Sequence, residues 1–219
     1  MKPDLRGVLK ENILVGDGAM GTFLYQMGFP VGISYEELNL TNPEVIGDVH
    51  RKYYDAGARF IETNTFTANR EKLSKYGLEN ETEAINRAGV RIARQYTGDD
   101  AYIIGAVGSI LGGRKKDFRL KQMKNDYRQQ IDVLLDEGVD GLLLETFFDL
   151  EEMRLVLRLV REQSDLPVIC QFAVEDSGRT HDGVMLNEAF HLLQDEGADV
   201  VGFNCRSGPK TIIDRKSVV

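Results

Sequence analysis

Short apolar runs recur along the chain, with amphipathic stretches between them. The runs are Ile13–Gly18, Arg59–Thr65, Tyr102–Val107, Gly141–Thr146, Pro167–Phe172 and Asp199–Cys205. Continuous apolar runs of this length fit strands buried on both faces, as in a parallel sheet. The intervening segments place apolar residues at helical spacing. Pro43–Ala56 follows Asn42, a good N-cap, and puts proline at the first helical position. Thr82–Gln95 carries Ala84, Ile85, Ala88 and Ile92 on one face, and Asn125–Glu137 carries Tyr127, Ile131, Leu134 and Leu135. Leu150–Arg161 carries Met153, Val156, Leu157 and Val160, and Asn187–Glu196 carries Ala189, Phe190 and Leu193.

Three of these helices end alike, in Ala56-Gly57-Ala58-Arg59, Glu137-Gly138-Val139-Asp140 and Glu196-Gly197-Ala198-Asp199. Glycine just past a helix takes the left-handed conformation that closes it. The repeated signature predicts helix running directly into strand. Six βα units in series imply a parallel sheet with right-handed crossovers. A barrel and an open doubly wound sheet both fit. Gly16-Asp17-Gly18-Ala19-Met20-Gly21-Thr22 is glycine-rich but lacks the G-x-G-x-x-G order of a dinucleotide site. Polar residues instead close most of the runs: Asp17, Asn64, Ser109, Glu145 and Cys205. Function spread over many strand ends is the barrel habit. The expected fold is therefore α/β, of the (βα)8 TIM-barrel family. About six of the eight βα units are expected, in a single incomplete barrel domain over residues 1–219. The length of 219 residues falls short of the roughly 250 of a full barrel.

Composition narrows the function. The net charge of −8 disfavours a nucleic-acid partner, which needs a basic face. No apolar run approaches the roughly 20 residues that span a bilayer, so no membrane partner is expected. Met1–Asn12 is charged and lacks a signal-peptide core, and the two cysteines, Cys170 and Cys205, form no close pair. A cytoplasmic location is the expectation.

Several residues suit chemistry. The backbone N–H groups of the Asp17–Thr22 turn suit a carboxylate, and Asp17 suits an ammonium; the same glycines also suit a tight strand-to-helix turn. Glu145 ends a run of three leucines, where a carboxylate is costly unless paired with a substrate ammonium or a neighbouring Arg or Lys. Cys205 stands at a strand end, whereas Cys170 lies inside a strand and reads as core. His50 and His191 lie within helices and read as structural. His181, in the loop after the fifth run, is the one histidine placed on the active-site side.

Taken together, these motifs resemble the homocysteine S-methyltransferase family. The matching stretches are Gly16–Thr22, Glu36-Glu37-Leu38-Asn39, Glu62-Thr63-Asn64-Thr65-Phe66, Glu145-Thr146-Phe147-Phe148-Asp149 and Gly202-Phe203-Asn204-Cys205, in the family's order. The runs from Glu145 and from Asn204 look most like the folate-linked members. Those include the bifunctional type joined to a methylenetetrahydrofolate reductase and the barrel half of cobalamin-dependent methionine synthase. The resemblance implies methyl transfer to homocysteine, giving methionine, on a zinc ion held by three cysteine thiolates. Zinc binding strips the proton from a thiol whose ordinary pKa is about 8.5, leaving a nucleophilic sulfur. By the resemblance, Cys205 matches the first zinc cysteine, Asp17 and Glu145 lie near the homocysteine ammonium, and Gly21 and Thr22 lie near its carboxylate. The methyl donors used by relatives are methylfolate, a methylcorrinoid and S-methylmethionine. The family's other two zinc ligands form an adjacent Cys-Cys pair, which this chain lacks. The expectation is therefore a C-terminally truncated barrel, with a further C-terminal domain possible in the whole protein. It would hold zinc weakly and be inactive alone. The alternative is a non-catalytic fragment that associates with a complementary chain or with itself.

Overall fold

The structure is a computed structural model and describes residues 2–113, 120–173 and 178–208. Helices α1 (Leu5–Glu11), α2 (Met20–Gln26), α3 (Leu38–Thr41) and α4 (Pro43–Asp55) precede strand β1 (Phe60–Glu62). Then come α5 (Arg70–Leu73), α6 (Thr82–Tyr96), β2 (Tyr102–Gly108), α7 (Leu120–Asp136), β3 (Gly141–Phe147) and α8 (Leu150–Arg161). The series ends with β4 (Val168–Ala173), α9 (Leu186–Asp195) and β5 (Val200–Asn204). The strands pair in parallel in the order β1-β2-β3-β4-β5 and curl into a half-barrel flanked by helices.

The structure corrects the expected first strand. Ile13–Gly18 contributes a single parallel bridge, from Gly16 to Phe60. Arg59 and Phe60 donate to the Val15 carbonyl and Asp17 donates to Phe60, and the ladder stops there. Asp17 and the glycines on either side of it turn the chain away before a second rung forms. Five strands and one bridge thus stand where six strands were expected. Helices α1 and α2 occupy segments with no expected element, and α7 begins five residues ahead of the expected Asn125. The expected sixth helix around Thr211–Asp214 lies outside the described residues.

The three helix ends behave as their shared signature predicts. Gly57, Gly138 and Gly197 take φ of 107°, 73° and 101°. After each, the next N–H reaches back to the last turn: Ala58 to Tyr53, Val139 to Leu134 and Ala198 to Leu193. The chain then enters the strand at once. Asp140 and Asp199 cap the neighbouring strands, accepting from Ile103 N–H at 2.7 Å and Val168 N–H at 2.8 Å. Two of these ends are also tied to the preceding helix. Arg91 of α6 reaches Glu137, and Arg158 of α8 reaches Glu196, each at 2.8 Å.

Strand alternation sorts the side chains into two layers. Outward residues such as Ile103, Val107, Leu142, Leu144, Cys170 and Phe172 pack with the helices in the largest core cluster. Inward residues Tyr102, Ile104, Leu143 and Ile169 form a second cluster, closed from below by Leu5 of α1. The short N-terminal helix is therefore a plug for the barrel floor. Further along the strands, the same inward alternation brings Glu62, Glu145 and Asn204 to the upper end. Among the described residues no helix is long and apolar enough to cross a membrane.

Leu5→Ala is expected to cost about 2–5 kcal/mol in urea denaturation, because it opens a cavity under the inner layer. Val31→Ser, at a position 77% exposed, is expected to stay within about 0.5 kcal/mol of the parent. Equal effects from the two changes would contradict the plug.

Candidate active site

Three carboxylates face the mouth of the half-barrel. Asp17 arrives from the bridge segment, Glu62 from the last position of β1 and Glu145 from β3. The Glu62 backbone N–H donates to Asp17 Oδ2 at 3.1 Å, which locks the bridge segment to β1. Asp17 Oδ1 is buried and has no hydrogen-bond partner among the described residues. Burial, then the Glu62 charge, holds the Asp17 carboxyl well above the usual carboxylate range. Burial pushes Glu62 up to about 7, and burial followed by the charges of Glu62 and Glu36 pushes Glu145 up to about 8. Among the described residues the bonds these acids accept come from the Glu62 backbone N–H and from Asn204, and none comes from a lysine or arginine. The mouth thus gathers three acids that bear on one another's charge.

Glu145 sits on a bulge. Leu144 pairs with Cys170 and Phe147 with Phe172, so Glu145 and Thr146 together oppose Gln171 alone. Thr146 takes φ 57°, a conformation that costs a β-branched residue about 1–3 kcal/mol. The bulge re-aims Glu145 and is held by Asn204 at the end of β5. Asn204 Nδ2 donates to Glu145 Oε2 at 3.0 Å and to Thr146 Oγ1 at 2.8 Å. Thr146 N–H donates to Asn204 Oδ1 at 3.0 Å. Cys205 follows directly, exposed, with φ 57°.

The other residues singled out in the sequence fall in varied places. Gly18 and Gly21 lie against aromatic rings: an added Cβ would stand 2.9 Å from the Tyr53 hydroxyl and 3.3 Å from the Tyr35 ring. Close packing therefore accounts for both glycines. Thr22 is exposed on α2. Asn64 and Ser109 are structural anchors behind the mouth. Asn64 Nδ2 donates to Tyr35 O and to Asn39 Oδ1, each at 2.9 Å. Ser109 donates to Glu152, which also accepts from Tyr127 and from Leu111 N–H and so pins the loop after β2. His50 is fully buried with both ring nitrogens unpartnered, and burial lowers it to about 4; it is a neutral core histidine. His181 sits on the rim, its ring centroid 5.0 Å from that of Phe148 and its backbone N–H donating to Phe148 O. Two residues escaped the sequence reading as site residues. Glu62 and Asn204 each lay inside a recognised motif without an assigned role.

The described residues do not make a zinc site by themselves. Cys205 is the sole thiol at the mouth among the described residues. Cys170 is buried on the outer layer, where burial pushes its thiol up to about 12. Among the described residues no three His, Cys, Asp or Glu side chains are arranged to hold a metal ion.

The sequence pattern described as homocysteine S-methyltransferase matches residues 14–214. The chain belongs to the homocysteine S-methyltransferase family. It is 30% identical to a methionine synthase of Mycobacterium tuberculosis, over 94% of this chain and 19% of that protein. It is also 30% identical to the S-methylmethionine–homocysteine S-methyltransferase BHMT2 of Pongo abelii, over 94% of this chain and 56% of that protein. The chain thus spans between about a fifth and just over half of these curated relatives. The crystal structure of the homocysteine methyltransferase MmuM from Escherichia coli, metallated form, superposes with a TM-score of 0.80 at 26% identity. That match covers 93% of this chain and 78% of MmuM. The family places the half-barrel within the TIM-barrel architecture expected from the strand-end pattern.

The raised carboxyls set a pH dependence. Their folded forms hold protons that the unfolded chain releases above about pH 4.5, so the stability they contribute is full below that pH. It is lost as pH rises through about 7 and 8. Thermal denaturation of the chain is expected to show a Tm that falls between pH 5 and pH 8.5. Glu145→Gln is expected to flatten that fall and to raise Tm at pH 8.5 by a few degrees. A Tm that rises over this range would count against the clustered carboxyls.

Proposed function

We propose that this chain is the amino-acid-binding part of a homocysteine S-methyltransferase. It holds the acceptor of a methyl transfer that yields methionine. One observation carries the reading: in a chain of this family Asp17, Glu62 and Glu145 converge, and among the described residues no lysine or arginine is hydrogen-bonded to them. Three carboxylates that cannot all ionise in one small space are relieved by a bound ammonium, which an amino-acid substrate brings. Asp17 and Glu145 hold that ammonium, and Glu62 adds to the negative field from β1. Gly21 and Thr22, in the turn that follows Asp17, stand toward the substrate carboxylate. The substrate sulfur then lies toward the strand end that carries Cys205.

A zinc ion held by three thiolates is what the family resemblance implies for the activation of that sulfur. At the mouth the described residues supply one thiol, Cys205. The donor classes implied by the resemblance are methylfolate, a methylcorrinoid and S-methylmethionine. The site described is the acceptor half of the reaction.

A second reading is a barrel fragment that associates with a complementary chain or with itself. The sheet edges favour it. Ile13 and Val15, beside the Gly16 bridge, are 96% and 59% exposed, and β5 pairs only with β4 among the described residues. Unpaired edges of this kind are templates for another strand. Sedimentation velocity is expected to give a dimer or larger species under this reading, and a stable folded monomer would contradict it.

Calorimetry tests the first reading. L-homocysteine is expected to bind with release of protons near pH 7, seen as a dependence of the heat on buffer ionisation enthalpy. Glu145→Gln and Asp17→Asn are each expected to weaken binding by roughly 10- to 100-fold, as for loss of a charge-assisted hydrogen bond. Unchanged affinity in both variants would remove the ammonium pocket.

A further inference from the structure

The carboxamide of Asn204 crosses the half-barrel interior from β5 to β3. It passes the intervening strand β4, to which β5 is paired through Ala173 and Asn204. Its three bonds all end on Glu145 and Thr146. None is spent on its own turn, which closes separately through Ser207 N–H to Cys205 O at 2.8 Å. The side chain is therefore not a local turn-former, the usual reason for asparagine at a strand end. It serves a neighbour two strands away.

The places it joins are the strained ones. Thr146, Cys205 and Arg206 are the non-glycine residues with positive φ among the described residues. They flank Glu145 on one strand and follow Asn204 on the other. Strain persists where surrounding contacts over-determine it, and here the contact is one amide. The chemistry of that amide is specific. Its oxygen accepts from the Thr146 backbone while its nitrogen donates to the Glu145 carboxylate and the Thr146 hydroxyl. Aspartate keeps the acceptor and loses both donors. Alanine loses everything.

We propose that Asn204 is the positioning residue of the site, locking the Glu145–Thr146 bulge so that the Glu145 carboxylate faces the mouth beside the strand end that carries Cys205. The role for Glu145 in holding substrate rests on the reading under Proposed function. The lock itself does not. The groups whose charges bear on Glu145 are Glu62 of β1 and Glu36 of the segment before α3. Asp17 of the bridge segment feels the Glu145 charge in turn. All are acidic, so the Asn204 donor is the favourable contact that the Glu145 anion receives within the mouth.

The test uses the full chain with Asn204→Ala, Asn204→Asp, Glu145→Gln and the Asn204→Ala/Glu145→Gln double variant. Hydrogen exchange at the Thr146 amide is expected to speed up at least about tenfold in Asn204→Ala and to change little in Asn204→Asp, which retains the acceptor. The Glu145 carboxyl, followed by carbon NMR, is expected to titrate at higher pH in both Asn204 variants, because each removes the donor to its anion. L-homocysteine affinity is expected to fall roughly tenfold in both. The double variant is expected to bind no more weakly than Glu145→Gln alone, since Asn204 acts through that carboxylate. A merely structural role would lower stability and leave the Glu145 titration in place. If Asn204→Ala does not fold, Asn204→Asp decides through the same titration. An unmoved Glu145 titration, or a full additive loss in the double variant, overturns the proposal. If Glu145→Gln and Asp17→Asn both bind homocysteine as the parent chain does, the ammonium reading fails, and amide exchange and titration still decide the lock.

Discussion

The alternation of side chains along a curled parallel sheet is the constraint on which the molecule depends. Outward positions meet helices and are apolar throughout. Inward positions face one another across a narrow space, and that space is treated differently at its two ends. At the floor, Tyr102, Ile104, Leu143 and Ile169 fill it, and Leu5 of α1 seals it. At the mouth the same alternation delivers Glu62, Glu145 and Asn204. An apolar floor gives the mouth a low-dielectric base, which strengthens charge interactions there. The carboxylates are unusual because of where the strands put them, not because of their own chemistry.

The consequence is a pocket whose electrostatics are unbalanced until something enters. Protons supply the balance when the pocket is empty, which is why burial raises all three carboxyls. Under the proposed function, a ligand ammonium supplies it when the pocket is filled. The neighbouring acids have settled partners: Glu36 accepts from Ser34 and Thr67, and Glu152 from Ser109, Tyr127 and Leu111. Two kinds of buried acid thus stand side by side in one barrel. Glu36 and Glu152 have partners and hold the scaffold, whereas Asp17 at the mouth keeps one buried oxygen without a partner among the described residues. The difference matches the general pattern in which perturbed acids gather at functional sites.

The bulge on β3 links the scaffold to this chemistry. A regular strand would carry Thr146 in extended conformation and fix the direction of Glu145 by register alone. The extra residue opposite Gln171 breaks that rule and is stabilised from β5 by one asparagine. The strand that bears Cys205 and the strand that bears Glu145 are thereby coupled by side-chain bonds as well as by the sheet.

Much of this was legible in the chain itself. The helix ends at Gly57, Gly138 and Gly197, the helix over Leu150–Arg161 and the apolar strand runs follow from local spacing and from the freedom of glycine at positive φ. The family was legible because five short motifs stood in order. Local spacing did not determine that Ile13–Gly18 forms one bridge rather than a strand, since the number of rungs depends on where the partner β1 ends. Nor did it show that Asn64 and Ser109 anchor loops while Glu62 reaches the mouth. All three follow apolar runs, and only the curl of the sheet decides which face each one meets. The meeting of Asn204 with Glu145 lies furthest from the sequence. It joins residues 59 positions apart, across an intervening strand and onto a bulge, so only the tertiary structure could place a lone carboxamide against that carboxylate.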